Sequence, residues 1–284
     1  MSEPAVDDAD WVRVTIAVDR DGDPAAAEVA AAVLWGAGAA GVEEQEEGAE
    51  VRLLGGFADP EDAARAVERA GALGFTAEAS SIEDDGLDAW RDWAEPERAG
   101  RFWITPTWVE APDLAPGEEV LWIDPGPTFG SGSHPTTRLV LTLLQDLVEP
   151  RAGVLDVGCG SGVLAIAAAR LGATAVATDI DPASPEVVAA NAERNGVAAA
   201  VGTTTDPVAV LAAAGERYDV VAANLLAPVI AELGADLVRC VGPGGALIVS
   251  GLLADRWEAS LPAVAPLSTA LVAEEDGWVA VVLR

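Results

Sequence analysis

Val154-Leu155-Asp156-Val157-Gly158-Cys159-Gly160-Ser161-Gly162 decides how this chain folds. An apolar run of strand character ends in three glycines at alternate positions. The residues that follow, Val163 to Leu171, are good helix formers closed by Gly172. Glycine has no Cβ, so the backbone can turn sharply and lie against a ligand while the helix begins. A second apolar strand, Ala175 to Thr178, ends at Asp179, about twenty residues beyond the first glycine. In a strand, loop, helix, strand and acid unit, that carboxylate reaches a ribose lying across the strand ends. The spacing therefore predicts an α/β sheet and a nucleoside cofactor on Gly158, Gly160 and Asp179, with Ile180 next to it.

Dinucleotide folds favour G-x-G-x-x-G with the helix N-terminus facing a pyrophosphate. Here the pattern is G-x-G-x-G preceded by Asp156. It fits S-adenosylmethionine better, because that cofactor brings an ammonium and a carboxylate where a pyrophosphate would bring two negative charges. A nicotinamide-dependent oxidoreductase shares the strand, loop and acid, and stays the alternative from another enzyme class.

Composition narrows the partners. The 284 residues allow about two domains, and 51% apolar residues can fill a sizeable core. The formal charge is −31, and all sixteen basic residues are Arg. Such a surface repels phosphate backbones, which argues against direct nucleic-acid binding, and attracts a basic protein within a screening length of ~8 Å. Adaptation to a salty cytoplasm explains the same charge without a partner. Cys159 and Cys240 have no metal-ligand spacing and need form no disulfide. The N-terminus lacks a positive segment followed by an apolar one, and no run approaches ~20 apolar residues, so a cytoplasmic protein without membrane contact is expected.

In chain order, residues 11–18 alternate as a half-buried strand, a helix runs from Pro24 to Leu34, and Gly41 to Glu44 with Glu50 to Leu54 reads as a hairpin. A helix from Pro60 to Ala70 and a strand from Phe75 to Ser80 complete β-α-β-β-α-β, a small ferredoxin-like module over residues 1–82. Its acidic strip, Glu43 to Glu47, reads as a solvated turn. Residues 83–118, with Trp90, Trp93, Trp103, Trp108 and four prolines, read as a linker pinned by aromatic anchors. From 119 onward, a short strand leads into a long loop and then a helix from Arg138 to Val148. Thr137 can cap that helix or face the cofactor, and Phe129 can cover the cofactor from above. His134, the only histidine, is either a general base or a hydrogen-bonding brace. Further βα units lead to the strand Tyr218 to Ala223, which ends at Asn224. There an amide oxygen can accept from an amine and aim its lone pair at a methyl group, or the residue can cap the next helix.

Asp124-Pro125-Gly126, then Phe129-Gly130-Ser131-Gly132-Ser133-His134-Pro135-Thr136-Thr137, the glycine loop, and Asn224-Leu225-Leu226-Ala227 resemble the ribosomal protein L11 methyltransferase family in order and spacing. Pro127 and Thr128 stand where the family usually has Leu-Ala. The resemblance implies a Rossmann-like, seven-stranded class I methyltransferase domain over 119–284, preceded by a ferredoxin-like substrate-recognition domain. It also implies methyl transfer from S-adenosylmethionine to amines of L11, lysine side chains or the N-terminal amine; displacement of this kind needs no metal, and a monomer is expected. Thr137, Gly158, Asp179 and Asn224 then stand where the family binds the cofactor, with Phe129, Gly130, Gly160 and Ile180 beside them. Other readings are methylation of lysines on another protein, or a ribosome-assembly factor that keeps a cofactor pocket without turnover.

Overall fold

The computed structural model describes residues 11–19, 26–39, 41–47, 50–81, 94–126, 128, 130 and 132–284. The chain divides into two units, Met1–Trp93 and Ala94–Arg284. Phe129 of the expected site, and Trp90 and Trp93 of the expected linker, lie outside the described residues.

The first unit is β1 (Val12–Asp19), α1 (Ala26–Ala37), β2 (Gly41–Glu47), β3 (Glu50–Phe57), α2 (Pro60–Ala72) and β4 (Thr76–Ser81). Its antiparallel sheet has the order β2-β3-β1-β4, the ferredoxin-like arrangement. Val14, Ile16 and Val18 alternate on the buried face with Val51, Leu53 and Phe57, against Ala30, Leu34, Ala63, Ala66 and Ala70 of the helices. Each large apolar side chain buried in this way is worth ~1.5–3 kcal/mol. The acidic strip is not the expected turn: Gly41 to Glu47 pairs residue for residue with β3, from Gly41↔Gly56 to Glu47↔Glu50. β2 is the edge of its sheet, and charge on an edge strand keeps other strands from adding to it.

In the second unit, β8 (Gly153–Val157), β9 (Thr174–Thr178), β10 (Val201–Thr204), β11 (Tyr218–Asn224), β12 (Val241–Leu253), β13 (Thr269–Glu275) and β14 (Trp278–Leu283) form one sheet in the order β10-β9-β8-β11-β12-β14-β13. The first five strands are parallel; β14 pairs antiparallel with both β12 and β13 and alone runs against the others. Alternation supplies two cores. Val154, Val220, Ala222, Ile248 and Val282 face α3 (Pro135–Leu147), α4 (Val163–Arg170) and α5 (Ser184–Arg194). Leu155, Val157, Val221, Val249 and Val281 face α6 (Val208–Ala214) and α7 (Ala227–Cys240). Both faces are covered, so these strands read as continuous apolar runs.

Within the stretch expected as a linker, β5 (Glu97–Ala99) and β6 (Phe102–Pro106) join β7 (Glu119–Ile123) in a three-stranded sheet. Phe102, Ile104, Leu121 and Ile123 bury against the α3 and α4 layer. The prolines suggested a break, but they fall at strand ends and in the crossover between β6 and β7. The free edge of β7 is met by α5: Asn195 Oδ1 accepts from the Trp122 N–H at 2.9 Å, and Asn191 Oδ1 from the Asp124 N–H at 3.0 Å. The same amides donate back to the Trp122 and Asp124 carbonyls. Two side-chain amides thus complete a backbone ladder. Boundaries elsewhere shift by a few residues, and Trp257–Val264 is a 3-10 helix. Among the described residues, no helix is long and apolar enough to cross a membrane, and no group of three or more His, Cys, Asp and Glu is placed to hold a metal.

Candidate functional site

The glycine turn crosses the end of β9: the Gly158 and Cys159 N–H groups both donate to the Thr178 carbonyl, at 2.9 and 3.2 Å. Gly162 sits at φ 78° and leaves α4 without a side-chain cap. Asp156 supplies one from beneath. Fully buried on β8, it accepts from the Ala165 N–H at 3.1 Å through Oδ2, while Oδ1 has no partner. Burial pushes its carboxyl up to about 7 against that hydrogen bond, and the neighbouring Asp179 adds to the rise. Asp179 accepts from the Gly160 N–H at 2.8 Å and, on its other oxygen, from the Asp181 N–H at 3.0 Å. Each carboxylate oxygen has a second lone pair, so an adjacent diol can still donate to it.

The electrostatics select the ligand. Cys159, buried at the turn and lifted by desolvation, is raised further by Asp156 and Asp179, with no cation opposing them. A pyrophosphate would meet the Asp179 carboxylate here; an ammonium or sulfonium would be drawn to it. The first N–H groups of α4, which lack partners inside the helix, suit a carboxylate. Ile180 is 82% exposed beside Asp179, an apolar surface of the kind a flat ring covers. Asp206, just beyond β10, lies at the same sheet edge and takes the Thr178 hydroxyl on its carbonyl at 2.6 Å; its position past a weak strand hid it in the sequence.

The second wall is the loop from Asp124 into α3. Ser161 donates to the Gly130 carbonyl at 2.6 Å, and Asn191 reaches the Ser161 carbonyl at 3.0 Å, so glycine turn, loop and α5 are tied together. Neither Ser161 nor Asn191 stood out in the sequence, because each sits among small residues. Gly132, at φ 88°, lies on β6: a Cβ there would be 2.4 Å from Ile104 Cγ2. α3 starts three residues earlier than expected, and its cap is His134, not Thr137. The His134 Nδ1 accepts from the Thr136 N–H at 3.3 Å and lies 2.8 Å from the Thr136 hydroxyl. Freed from capping, Thr137 accepts from Asn224 Nδ2 at 3.3 Å and is itself buried. That bond turns Asn224 Oδ1 away from Thr137. Asn224 ends β11 opposite Ser250, so Thr137, Asn224 and the glycine turn share one end of the parallel strands.

Through Nδ1, His134 braces the first turn of α3. Burial, then the positive charge of Arg138, holds its pKa below the usual 6.5. The neutral ring is the one that caps, so its contribution is complete above pH 6.5 and lost as pH falls through the lower folded value. His134→Asn keeps a capping oxygen and is expected to hold turnover within about tenfold of wild type, whereas loss of a general base costs ~10²–10⁴-fold. Steady-state rates of His134→Asn and His134→Ala separate the two roles.

A family model described as ribosomal protein L11 methyltransferase matches residues 10–284. The ribosomal protein L11 methyltransferase of Dechloromonas aromatica is 49% identical over 183 residues, covering 63% of this chain and 58% of that protein. That of Pelotomaculum thermopropionicum is 43% identical over 206 residues, 71% of this chain and 66% of the relative. The chain thus spans less than two thirds of the length of these relatives. Among solved structures, a ribosomal protein L11 methylase from Lactobacillus delbrueckii subsp. bulgaricus superposes with a TM-score of 0.58 at 29% identity, covering 65% of this chain and 95% of that one.

Proposed function

The chain belongs to the ribosomal protein L11 methyltransferase family, and from that premise we propose that it transfers methyl groups from S-adenosylmethionine to amines of ribosomal protein L11, lysine side chains or the N-terminal amine. The observation that carries the reading is the Asp179 carboxylate at a glycine turn that shares one end of the sheet with Thr137 and Asn224, an anionic site for a cationic cofactor beside an amide that can receive an amine.

When bound, the sulfonium supplies an activated methyl carbon with a neutral thioether as leaving group. Asp179 would take the ribose, Gly158 and Gly160 would allow close approach of the backbone, Gly130 would stand at the far wall, and Ile180 would support the base. Asn224, its amide oriented by Thr137, accepts a hydrogen bond from the amine and points the nitrogen lone pair at the methyl. The amine nitrogen would take up the methyl carbon as the carbon–sulfur bond breaks and would shed its extra proton to water. Positioning carries most of the rate. Lysine must first lose its own proton, which a dry site favours by disfavouring the charged form. The net charge of −31 favours capture of a basic protein. We place the enzyme in the cytoplasm as a monomer, with the ferredoxin-like unit holding the substrate.

The test is the intact mass of purified L11 after incubation with this protein and S-adenosylmethionine. Mass added in whole methyl steps is expected. An unchanged mass alongside calorimetric binding of the cofactor would move the substrate to another protein.

A further inference from the structure

The first turn of α3 carries Thr137, yet what holds that turn comes from the other end of the domain. His134 and Arg138 are one helical turn apart and therefore stack on one side of α3. The His134 ring meets Trp278, at the start of β14, edge to face with centroids 4.9 Å apart. Arg138, only 14% exposed, donates from Nε and Nη2 to Glu275 Oε1 at 2.8 and 2.6 Å, and also to the Ser133 carbonyl in the loop. Asp276 at 3.5 Å and Glu97 at 3.6 Å add to the negative charge around it. A third tie is Ser250, the β12 neighbour of Asn224, whose buried hydroxyl reaches the Val279 carbonyl at 3.0 Å and the Thr136 carbonyl at 3.4 Å.

Helix turn, loop and hairpin are thus locked at the point where Thr137 meets Asn224. We propose that Glu275 and Trp278 of the β13–β14 hairpin are positioning residues for the transfer site, acting through Arg138 and His134 to hold Thr137 against the Asn224 amide. This rests on the methyl-transfer reading above. Neither residue takes part in the chemistry. Their effect comes from geometry, because a displacement of about 1 Å at the reacting groups can cost ~100-fold in rate.

The test is a double-mutant cycle in the full chain, with Glu275→Ala, Thr137→Val and the pair, read as kcat and KM on the basic protein substrate, cofactor affinity by calorimetry, and melting temperature. Glu275→Ala is expected to lower kcat about tenfold with KM for the protein substrate unchanged, and Glu275→Gln, which keeps the accepting oxygen, to recover most of it. In the Thr137→Val background the same change should cost less than about twofold, since the contact it serves is already gone. Trp278→Phe, which keeps the ring packing, should behave like Glu275→Gln. Equal costs in both backgrounds, or a lowered melting temperature with kcat intact, would overturn the proposal. Should wild type bind S-adenosylmethionine yet leave every protein amine unmodified, the substrate reading fails by itself. The cycle is then read in cofactor affinity, where the same non-additivity supports positioning and additivity refutes it.

Discussion

Asp179→Ala is expected to raise the dissociation constant for S-adenosylmethionine about 100-fold or more, the larger of the two binding effects anticipated at this site. The size follows from the bonds. Hydrogen bonds to a charged acceptor are worth ~1.5–3 kcal/mol each, and a ribose diol makes two, so losing both costs ~3 kcal/mol or more. The same carboxylate also holds the Gly160 and Asp181 N–H groups, so alanine frees the turn as well as removing the ribose acceptor. Asp179→Asn retains one accepting oxygen and should fall between wild type and alanine. Titration calorimetry with S-adenosylmethionine reads the result directly, and an alanine variant that binds as tightly as wild type would place the ribose elsewhere. The melting temperature should fall only slightly, because Asp179 is half-buried and its lost partners can reach water.

Much of this was legible in the sequence for a specific reason. Val154 to Gly162 encodes its own structure: the strand is apolar on both faces because helices cover both, and the glycines stand where the backbone takes positive φ. Asp179 and Asn224 were reachable because each ends an apolar strand at the edge where such sheets bind ligands. The three-stranded sheet was not legible. Its strands are short, bounded by prolines, and stabilised by asparagines in and at the end of α5 that lie over sixty residues away in sequence. The capping role of His134 was hidden as well. Ser, Thr, Asp and Asn are the usual caps, so Thr137 drew the assignment that Nδ1 of His134 fills. The acidic strip misled because its glutamates suggest solvent, and an edge strand is where a strand tolerates solvent on one side. The ties from Arg138 to Glu275 and from His134 to Trp278 join residues that no local pattern connects.

Asn224→Ala should leave cofactor affinity within a fewfold of wild type and lower kcat about 100-fold, the cost of losing alignment between amine and methyl. The Thr137 hydroxyl accepts from Nδ2 and so fixes which end of the amide faces the site. The exposed oxygen accepts one amine hydrogen, which turns the nitrogen lone pair toward the carbon. Alanine leaves the amine free to rotate and leaves the Thr137 hydroxyl without that donor. Asn224→Asp discriminates further. It retains accepting oxygens, so it should align an amine better than alanine does, but its charge stabilises the protonated amine and raises the pKa that lysine must shed. Its rate should therefore be low at neutral pH and climb as pH rises, with the limb of the kcat profile displaced toward alkali relative to wild type. Thr137 can meet the new carboxylate by donating its hydroxyl hydrogen, so the fold should tolerate the change. Two outcomes would remove Asn224 from the transfer step: an alanine variant with wild-type kcat, or an aspartate variant whose pH profile overlies that of the parent. A profile displaced as described would mean that the group facing Asn224 in the reacting complex is an amine that sheds a proton before it takes the methyl.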